Sequence, residues 1–401
     1  MPPDNPTPPR VTSVDALRGF VMLLMLAECL ELPKVAKAYP DNPVWQAVRS
    51  HTSHVEWEGC SLHDLIQPTF SFLVGAALVF SLAKRRERGE SFWRSLLHAV
   101  LRAGVLVALG VVMRTFGDDK HRTYFTFEDT LSQIGLGYVP LFLIARLHTR
   151  WWWVALGVIL VGYWAAFALY PLPPEGFDAR LMAAADPQFH HPGLAAHWDK
   201  NSNAAWAFDT WFLNLFPREP VVERIDGEPV WFGGFVRNAG GYCTLSFIPT
   251  LGRMILGLMA GDWLRTPTRW GTAFILGLAG VCGIGGGVLL GELGVCPVVK
   301  RIWTPSWTLF SGGLCFGFLA LFCRLRAPLF LLVIGTNSIA AYVIAHLWER
   351  FIEDSFRIHL GAKAFQFLGV EYEPLISGLA VLGMYWLVLY WMYRRKLFLK
   401  I

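Results

Sequence analysis

Ten long apolar runs constrain the fold of this chain more than any other sequence feature. Each has close to or more than the roughly 18 residues with few charges that can cross the hydrocarbon core of a membrane. Only 16% of the 401 residues are charged, against roughly 25% in soluble proteins. The sequence predicts an all-α integral membrane protein, a polytopic bundle of about ten transmembrane helices that forms a single domain over 1–401. The runs lie at approximately 14–31, 64–83, 94–113, 131–147, 151–170, 244–264, 271–291, 305–323, 328–347 and 376–393.

Charges on the segments between these runs predict the orientation of the bundle, because Lys and Arg accumulate on the cytoplasmic side. One alternating set of segments is basic, and nearly all acids fall in the other set. An even number of spans then puts both termini in the cytoplasm, in the inner membrane if the protein is bacterial. The basic set is 84–94, 146–150, 265–269, 324–326 and 394–400, and the acidic set is 32–63, 114–130, 171–243, 292–304 and 348–375.

The formal net charge of +5 is therefore interpreted as a topology signal. A scattered basic surface without an aromatic-interleaved motif argues against nucleic acid as a partner. At the N-terminus, Arg10 and Arg18 precede an apolar core, as in a signal peptide. No small-residue cleavage site follows, and Glu28 and Glu31 close the run, so we expect a retained first helix.

The segment 171–243 is the one large interruption, and it is rich in Pro, Asn, Trp and charge. A loop of this length is uncommon unless it works as a lid or a binding surface. Its aromatic rings and hydrogen-bonding groups suit sugar rings, although an interfacial aromatic belt explains any single Trp equally well. The residues concerned are Trp198, Trp206, Trp211, Trp231, Asn201, Asn203 and Asp209.

Cysteines give little structural information in this sequence. By the predicted topology Cys60, Cys243 and Cys296 share the outer side, which leaves room for one disulfide. An odd set without CxxC spacing makes no disulfide framework.

Ionisable and amide side chains inside the apolar runs are candidates for function, with pairing to a neighbour as the structural alternative. Asp15 and Arg18 are three residues apart on one helical face and can neutralise each other. Arg18 lies at the cytoplasmic end, where it could meet a phosphate or a pantetheine arm. In the ninth run, Asn337 lies near the inside and His346 near the outside, about 13 Å apart. A carbonyl partner would give His346 a purely structural role.

The stretch 53–64 sets His54 beside several carboxylates at the mouth of the second run. A neutral imidazole near physiological pH can accept a proton or act as a nucleophile, and Glu56, Glu58 or Asp64 can orient it. Asp64 and Ser61 can also serve simply as helix N-caps. The spacing of His51, His54 and His63 is not a strong metal signature and no HExxH motif supports it, so we expect no metal.

Five segments, taken in order, resemble the motifs of the heparan-alpha-glucosaminide N-acetyltransferase family and its uncharacterised bacterial relatives. The resemblance implies a multi-span enzyme that moves an acetyl group from cytoplasmic acetyl-CoA to an amino sugar across the membrane. These segments are SVDALRGF, HVEWEGCSLHDLIQPTFSFLVGAALVFSL, TLSFIPTLGRMILGLMAGDWLR, KRIWTPSWTLFSGG and GTNSIAAYVIAHLW.

The resemblance also implies roles for individual residues. The family's H-x-x-W-x-G motif reads His54 to Gly59 here, which gives His54 the catalytic role, and the D-L-x-x-P motif begins at Asp64. SVDALRGF is also similar to the wider membrane acyltransferases, in which an Arg near the start of the first span meets the coenzyme. The expected site is thus catalytic His54 and Asp64, coenzyme-binding Arg18 and Asn337, and substrate-binding Trp57, Glu56 and His346.

Several alternatives stay open at this point. The imidazole could carry the acetyl group or act as a base in direct transfer. The enzyme could instead be an O-acyltransferase of an exported polysaccharide, or the chain a polytopic transporter, although we find no repeat with broken helices in two halves. The expected partners are the lipid bilayer, acetyl-CoA and an amino sugar or glycan acceptor, and a homodimer is left open.

Overall fold

The computed structural model describes residues 12–116, 123, 125–266, 270–361 and 363–399. Arg10 and parts of the segments 114–130, 265–269 and 394–400 lie outside the described residues. The chain divides into two compact units. Unit 1 comprises Met1–Tyr39 and Phe318–Lys400, and unit 2 comprises Pro40–Gly317.

Helices account for nearly all of the regular structure. In chain order the elements are α1 Thr12–Leu26, α2 Leu32–Ala38, α3 Pro43–Thr52, α4 Ile66–Glu87, α5 Phe92–Phe116, α6 Thr130–Ala145, α7 Thr149–Ala168, α8 Ala204–Phe212, β1 Val221–Ile225, β2 Glu228–Phe232, α9 Phe247–Arg265, α10 Thr272–Glu292, α11 Pro305–Arg324, α12 Leu329–Thr336, α13 Ser338–Leu360 and α14 Glu373–Arg394. The two strands pair as one antiparallel hairpin.

The structure confirms the prediction of an all-α polytopic membrane protein, and every predicted run is helical. In the described part of the chain, seven helices are long and apolar enough to span a membrane. α12 and α13 together make an eighth if a pair bent by 79° counts as one span. The expected number was higher because α1 and α6 have only 15 and 16 residues, fewer than a membrane span needs.

The bend between α12 and α13 occurs at Asn337, whose backbone is not helical (φ −126°, ψ 40°). Its side-chain Nδ2 donates to the Leu397 carbonyl at 2.9 Å, and its Oδ1 accepts from Leu399 N at 3.2 Å. The side chain at the break therefore joins the α12–α13 pair to the C-terminal tail. α13 then continues to Leu360, so His346 lies within a helix and not at its end as expected.

Unit 1 is held together by backbone contact between helices. A Cβ on Gly19 of α1 would lie 1.9 Å from the Leu331 carbonyl oxygen of α12, and one on Gly335 would lie 2.0 Å from Asp15 O. Small residues allow this approach, as is common between membrane helices.

Unit 2 is centred on α9, the most deeply buried of the membrane-spanning helices. α9 packs against α4 at backbone distance: a Cβ on Gly75 would lie 1.9 Å from Met254 O, and one on Gly257 would lie 1.9 Å from Phe72 O. The close approach therefore lies between Phe72–Gly75 of α4 and Met254–Gly257 of α9. This contact positions the residues that precede α4, among them His54.

The 171–243 segment is more structured than a plain loop. It contains α8, the β1–β2 hairpin and short 3-10 turns at Pro187–Phe189, Gly193–Trp198 and Leu213–Leu215. Trp198 is fully buried in a cluster with Trp57 and Phe189, whereas Trp211 and Trp231 are exposed. All seven cysteines are free thiols, so the disulfide left open among Cys60, Cys243 and Cys296 is not formed.

We predict that Gly257→Ala destabilises unit 2, because the new Cβ would meet Phe72 O well inside contact distance and force α4 and α9 apart. Overpacking of this kind costs about 1–3 kcal/mol. The measurement is the thermal midpoint of the purified protein in detergent. Gly157→Ala in α7 is the matched control, because no atom lies within 4 Å of its added Cβ. Equal midpoints for the two variants would contradict the close α4–α9 contact.

Candidate active site

The stretch between α3 and α4 is folded around the side chain of Asp64, which is 1% exposed. Its Oδ2 accepts hydrogen bonds from Val55 N at 3.2 Å, from Ser61 N at 3.0 Å and from Ser61 Oγ at 2.9 Å. Ser61 Oγ in turn accepts from Asp64 N at 3.2 Å. The N-cap residues are Leu62 for the turn His63–Leu65 and Leu65 for α4, so the expected capping by Ser61 and Asp64 is wrong, and both side chains serve the hydrogen bonds of the preceding stretch.

The second oxygen of Asp64 joins two further side chains. Oδ1 lies 2.8 Å from His54 Nδ1 and accepts from Lys300 Nζ at 2.9 Å. Lys300 Nζ also lies 3.2 Å from His54 Nδ1. These three residues form a compact triad, which we call the His–Asp–Lys cluster.

The hydrogen-bond network assigns the tautomer of His54. Nδ1 lies near both a carboxylate, which only accepts hydrogen bonds, and an ammonium, which only donates them. We assign the hydrogen to Nδ1 because its 2.8 Å contact with Asp64 is the shorter one and because Lys300 Nζ already donates to Asp64. The lone pair is then on Nε2, which has no hydrogen-bond partner among the described residues. The His54 side chain is 43% exposed. This nitrogen is free to act as a nucleophile or as a base.

The surroundings of His54 keep the imidazole neutral. Partial burial and the charge of Lys300 lower the pKa of His54 below its ordinary value of 6.5, although the hydrogen bond to Asp64 opposes this shift. A neutral imidazole with an unoccupied Nε2 is the form that nucleophilic or general-base chemistry requires.

Lys300 was not singled out from the sequence. It is 7% exposed and belongs to the turn before α11, 236 residues after Asp64. Gly59 N donates to Val298 O at 3.0 Å, and Arg301 Nη2 donates to Val55 O at 3.2 Å. These backbone contacts hold the two stretches together. The available signal was KRIWTPSW, which carried the resemblance but gave no reason to place its lysine beside His54.

Arg253 is the second residue that sequence reasoning missed, although an arginine within an apolar run is itself a signal. It is fully buried in α9, about 9 Å along the helix axis from Phe247. One guanidinium nitrogen donates to Trp307 O at 3.2 Å and to Ser311 Oγ, and another lies 3.6 Å from Cys315 Sγ. No carboxylate pairs with it among the described residues.

Glu56 and Trp57 flank the cluster but face other partners. Glu56 Oε2 accepts from Gln188 Nε2 at 2.9 Å. Trp57 is 1% exposed and its ring packs edge-on against Phe189, with centroids 6.0 Å apart. Both contacts attach the 171–243 segment to the stretch that carries His54. A substrate contact for either residue stays a prediction.

The other expected site residues belong to unit 1. Arg18 Nη1 donates to Asp15 Oδ1 at 3.1 Å, which is the expected ion pair. Asn337 holds the C-terminal tail through its two bonds to Leu397 and Leu399. His346 is exposed, and its Nδ1 lies 2.9 Å from Tyr342 O. Coenzyme binding by Arg18 and Asn337 and substrate binding by His346 stay predictions.

A second histidine, His191, links the 171–243 segment to the stretch that carries His54. His191 Nδ1 lies 2.7 Å from Asp199 Oδ1, and His191 Nε2 lies 3.3 Å from Glu58 Oε2. The hydrogen bonds to these two carboxylates raise the pKa of His191 to about 9. At neutral pH His191 is therefore a cation that bridges the two stretches.

Comparison with known proteins gives a partial similarity. No protein-family model matches this chain. A stretch of 106 residues is 29% identical to human heparan-alpha-glucosaminide N-acetyltransferase and covers 26% of this chain and 14% of that protein. The mouse protein of the same name is 28% identical over 104 residues, again 26% of this chain and 14% of the relative. The chain is thus similar to these acetyltransferases over about a quarter of its length.

The raised pKa of His191 predicts how stability depends on pH. A group whose pKa is higher in the folded protein stabilises it fully below the ordinary value of 6.5, and the effect is lost as pH rises through about 9. We expect the thermal midpoint of the wild type to fall over this window and that of His191→Gln to change less. His359→Gln, at an exposed histidine, should behave as wild type. Parallel curves for all three proteins would contradict the bridge.

Proposed function

We propose that this protein is a membrane-bound acetyltransferase that moves an acetyl group from acetyl-CoA to an amino sugar or glycan, with His54 at the reacting centre. The observation that carries the proposal is the unpartnered Nε2 of a neutral imidazole whose Nδ1 is held by a buried carboxylate. The partial similarity to heparan-alpha-glucosaminide N-acetyltransferases supports the choice of acyl group and acceptor.

Two routes use this geometry. In the covalent route, Nε2 attacks the thioester carbonyl carbon, the carbon–sulfur bond breaks and CoA leaves as the thiolate. The acceptor amine then attacks the acetyl-imidazole, its proton is released, and Nε2 regains its lone pair. In the direct route, the amine attacks the thioester carbonyl carbon while Nε2 removes its proton, the carbon–sulfur bond breaks, and CoA leaves as the thiolate, which can take up the proton held on Nε2. Asp64 holds the Nδ1 hydrogen in both routes and stabilises the positive charge that develops on the ring.

Lys300 has a distinct role in this proposal. Its ammonium lies 2.9 Å from Asp64 and 3.2 Å from Nδ1, so it keeps the carboxylate ionised and disfavours a charged imidazole. An acetyl-imidazole beside a positive charge is also a better acyl donor, because the ring leaves more readily as the neutral form. Lys300 thus positions and tunes His54 without touching the acyl group.

The predicted topology indicates from which side of the membrane each substrate arrives. The basic segments face the cytoplasm, where acetyl-CoA is found, and the His54 stretch and the 171–243 segment face outward toward the acceptor. Arg18 and Asn337 are proposed to meet the coenzyme from the inner side.

The proposal predicts that His54→Ala greatly reduces transfer. Membranes carrying wild type or variant are given labelled acetyl-CoA and glucosamine, and labelled N-acetylglucosamine is counted. We expect a loss of roughly 100-fold or more, the usual contribution of a positioned acid–base residue. His51→Ala, at an exposed histidine of α3, should keep near wild-type activity.

Equal product from wild type and His54→Ala would exclude His54 as the catalyst. Acetylated protein trapped without acceptor, and lost in His54→Ala, would favour the covalent route. Product with hydroxyl acceptors but none with glucosamine would redirect the proposal to O-acetyl transfer.

The position of Lys300 predicts the pH profile. The base form of His54 is required, and Lys300 lowers the pKa of His54. Lys300→Met should raise that pKa, so kcat/KM should begin to fall at a higher pH than in the wild type as the medium is acidified. Lys300→Arg keeps the positive charge, so the acid side of its kcat/KM profile should match that of the wild type. Lys200→Met is the matched control, because Lys200 is equally buried but its ammonium lies over the Phe189 ring. If the pH profile of kcat/KM shifts as far in Lys200→Met as in Lys300→Met, the proposed role of Lys300 is contradicted.

A further inference from the structure

His63 lies at the candidate site, but neither route described above gives it a role. It begins the turn His63–Leu65 that leads into α4, and it is half-buried. Its ring lies beside the ring of His54, with the two centroids 4.7 Å apart and the two planes tilted by 53°. Two imidazoles therefore lie side by side where the acetyl group is proposed to react.

The covalent route needs a base other than His54 in its second half. Once Nε2 of His54 carries the acetyl group, this nitrogen has no lone pair. Nδ1 is occupied by the hydrogen that faces Asp64. The amine that attacks the acetyl group must nevertheless lose a proton to give the amide. A positioned base at such a step typically contributes roughly 10²–10⁴-fold to the rate.

The carboxylates of the same stretch already have other partners. Asp64 is 1% exposed, and both of its oxygens accept hydrogen bonds. Glu56 accepts from Gln188 Nε2 at 2.9 Å, and Glu58 lies 3.3 Å from His191 Nε2. The imidazole next to His54 is thus the base that the geometry offers to the second half of the reaction.

We propose that His63 accepts the proton of the acceptor amine as this amine attacks acetylated His54. The inference rests on the proposed function and deepens it, because it assigns a separate base to the step that follows the release of CoA. With ring centroids 4.7 Å apart, an amine at the acetyl group on Nε2 comes within reach of the His63 ring, directly or through one water.

Atoms and charges balance in this step. The lone pair of the neutral amine forms a bond to the acetyl carbon. The bond from this carbon to Nε2 of His54 breaks, and its electron pair returns to Nε2. The amine proton moves to a ring nitrogen of His63, which becomes a cation. Because His63 is only half-buried, it can then pass the proton to water.

The charge that His63 gains in this step also favours the free form of His54. Burial lowers the pKa of His54, and the charges of Lys300 and His63 lower it further, against the hydrogen bond to Asp64. A protonated His63 therefore disfavours a second proton on the neighbouring ring. His54 is returned as the neutral imidazole that the next acetyl-CoA requires.

The test measures the two half-reactions separately, with the purified full chain in detergent. Labelled acetyl-CoA is added without acceptor and acetylated protein is counted. Glucosamine is then added, and labelled N-acetylglucosamine is followed with time. We expect His63→Gln to become acetylated at the wild-type rate and then to pass its acetyl group to glucosamine roughly 100-fold more slowly. His51→Gln, at an exposed histidine of α3, is the matched control and should behave as wild type in both steps.

Transfer from acetylated His63→Gln at the wild-type rate would overturn the inference. An equal loss in both steps would overturn it too, because the ring would then only maintain the shape of the stretch. If His63→Gln does not fold, His63→Glu decides, because a carboxylate at this position also accepts a proton. A second step retained in His63→Glu supports the inference, and a second step lost after normal acetylation contradicts it.

Failure of this inference is distinguishable from failure of the proposed function. If the wild type makes N-acetylglucosamine but no acetylated protein can be trapped, the role of His63 is refuted and direct transfer by His54 remains. If wild type and His54→Ala make equal product, the proposed function is refuted and the role of His63 with it.

Discussion

The buried carboxylate of Asp64 is the interaction on which the candidate site depends. Its two oxygens accept from Val55, Ser61 and Lys300 and contact His54. Without this anion, the ammonium of Lys300 would lie buried beside an imidazole with no charge to balance it, at a considerable cost in free energy. One residue thus fixes the fold of the stretch before α4, the tautomer of His54 and the position of a cation from a distant turn.

The membrane-spanning helices make this arrangement rigid. In unit 2, glycines at the α4–α9 contact bring the two backbones to touching distance. Hydrophobic driving force between helices is weak in lipid, so close packing of small residues carries the association. The fully buried Arg253 shows that unit 2 also accommodates a charge within these helices, held by a carbonyl, a hydroxyl and a thiol.

The 171–243 segment is attached to the stretch that carries His54. It contributes Gln188 and His191 to the stretch around His54 through their bonds to Glu56 and Glu58. It also contributes α8, on which Asp209 and Trp206 lie. A segment that is both tied to the His54 stretch and lined with aromatic and polar groups fits the acceptor-binding role that we propose for it.

The sequence by itself determined the class of protein and located the stretch that carries the candidate site. The length of an apolar run is a local property that can be counted, so all ten runs were located. His54 and Asp64 are only ten residues apart, so their pairing could also be expected from the sequence. Tertiary structure decided what depends on contacts between distant residues. Lys300 reaches Asp64 across 236 residues, and the amide of Asn337, at the break between α12 and α13, bonds to the tail 60 residues later. Asp209 accepts from Thr244 N, 35 residues later, because α8 packs against the turn Thr244–Ser246 that precedes α9. Such pairings arise from packing, which no periodicity or spacing in the chain encodes.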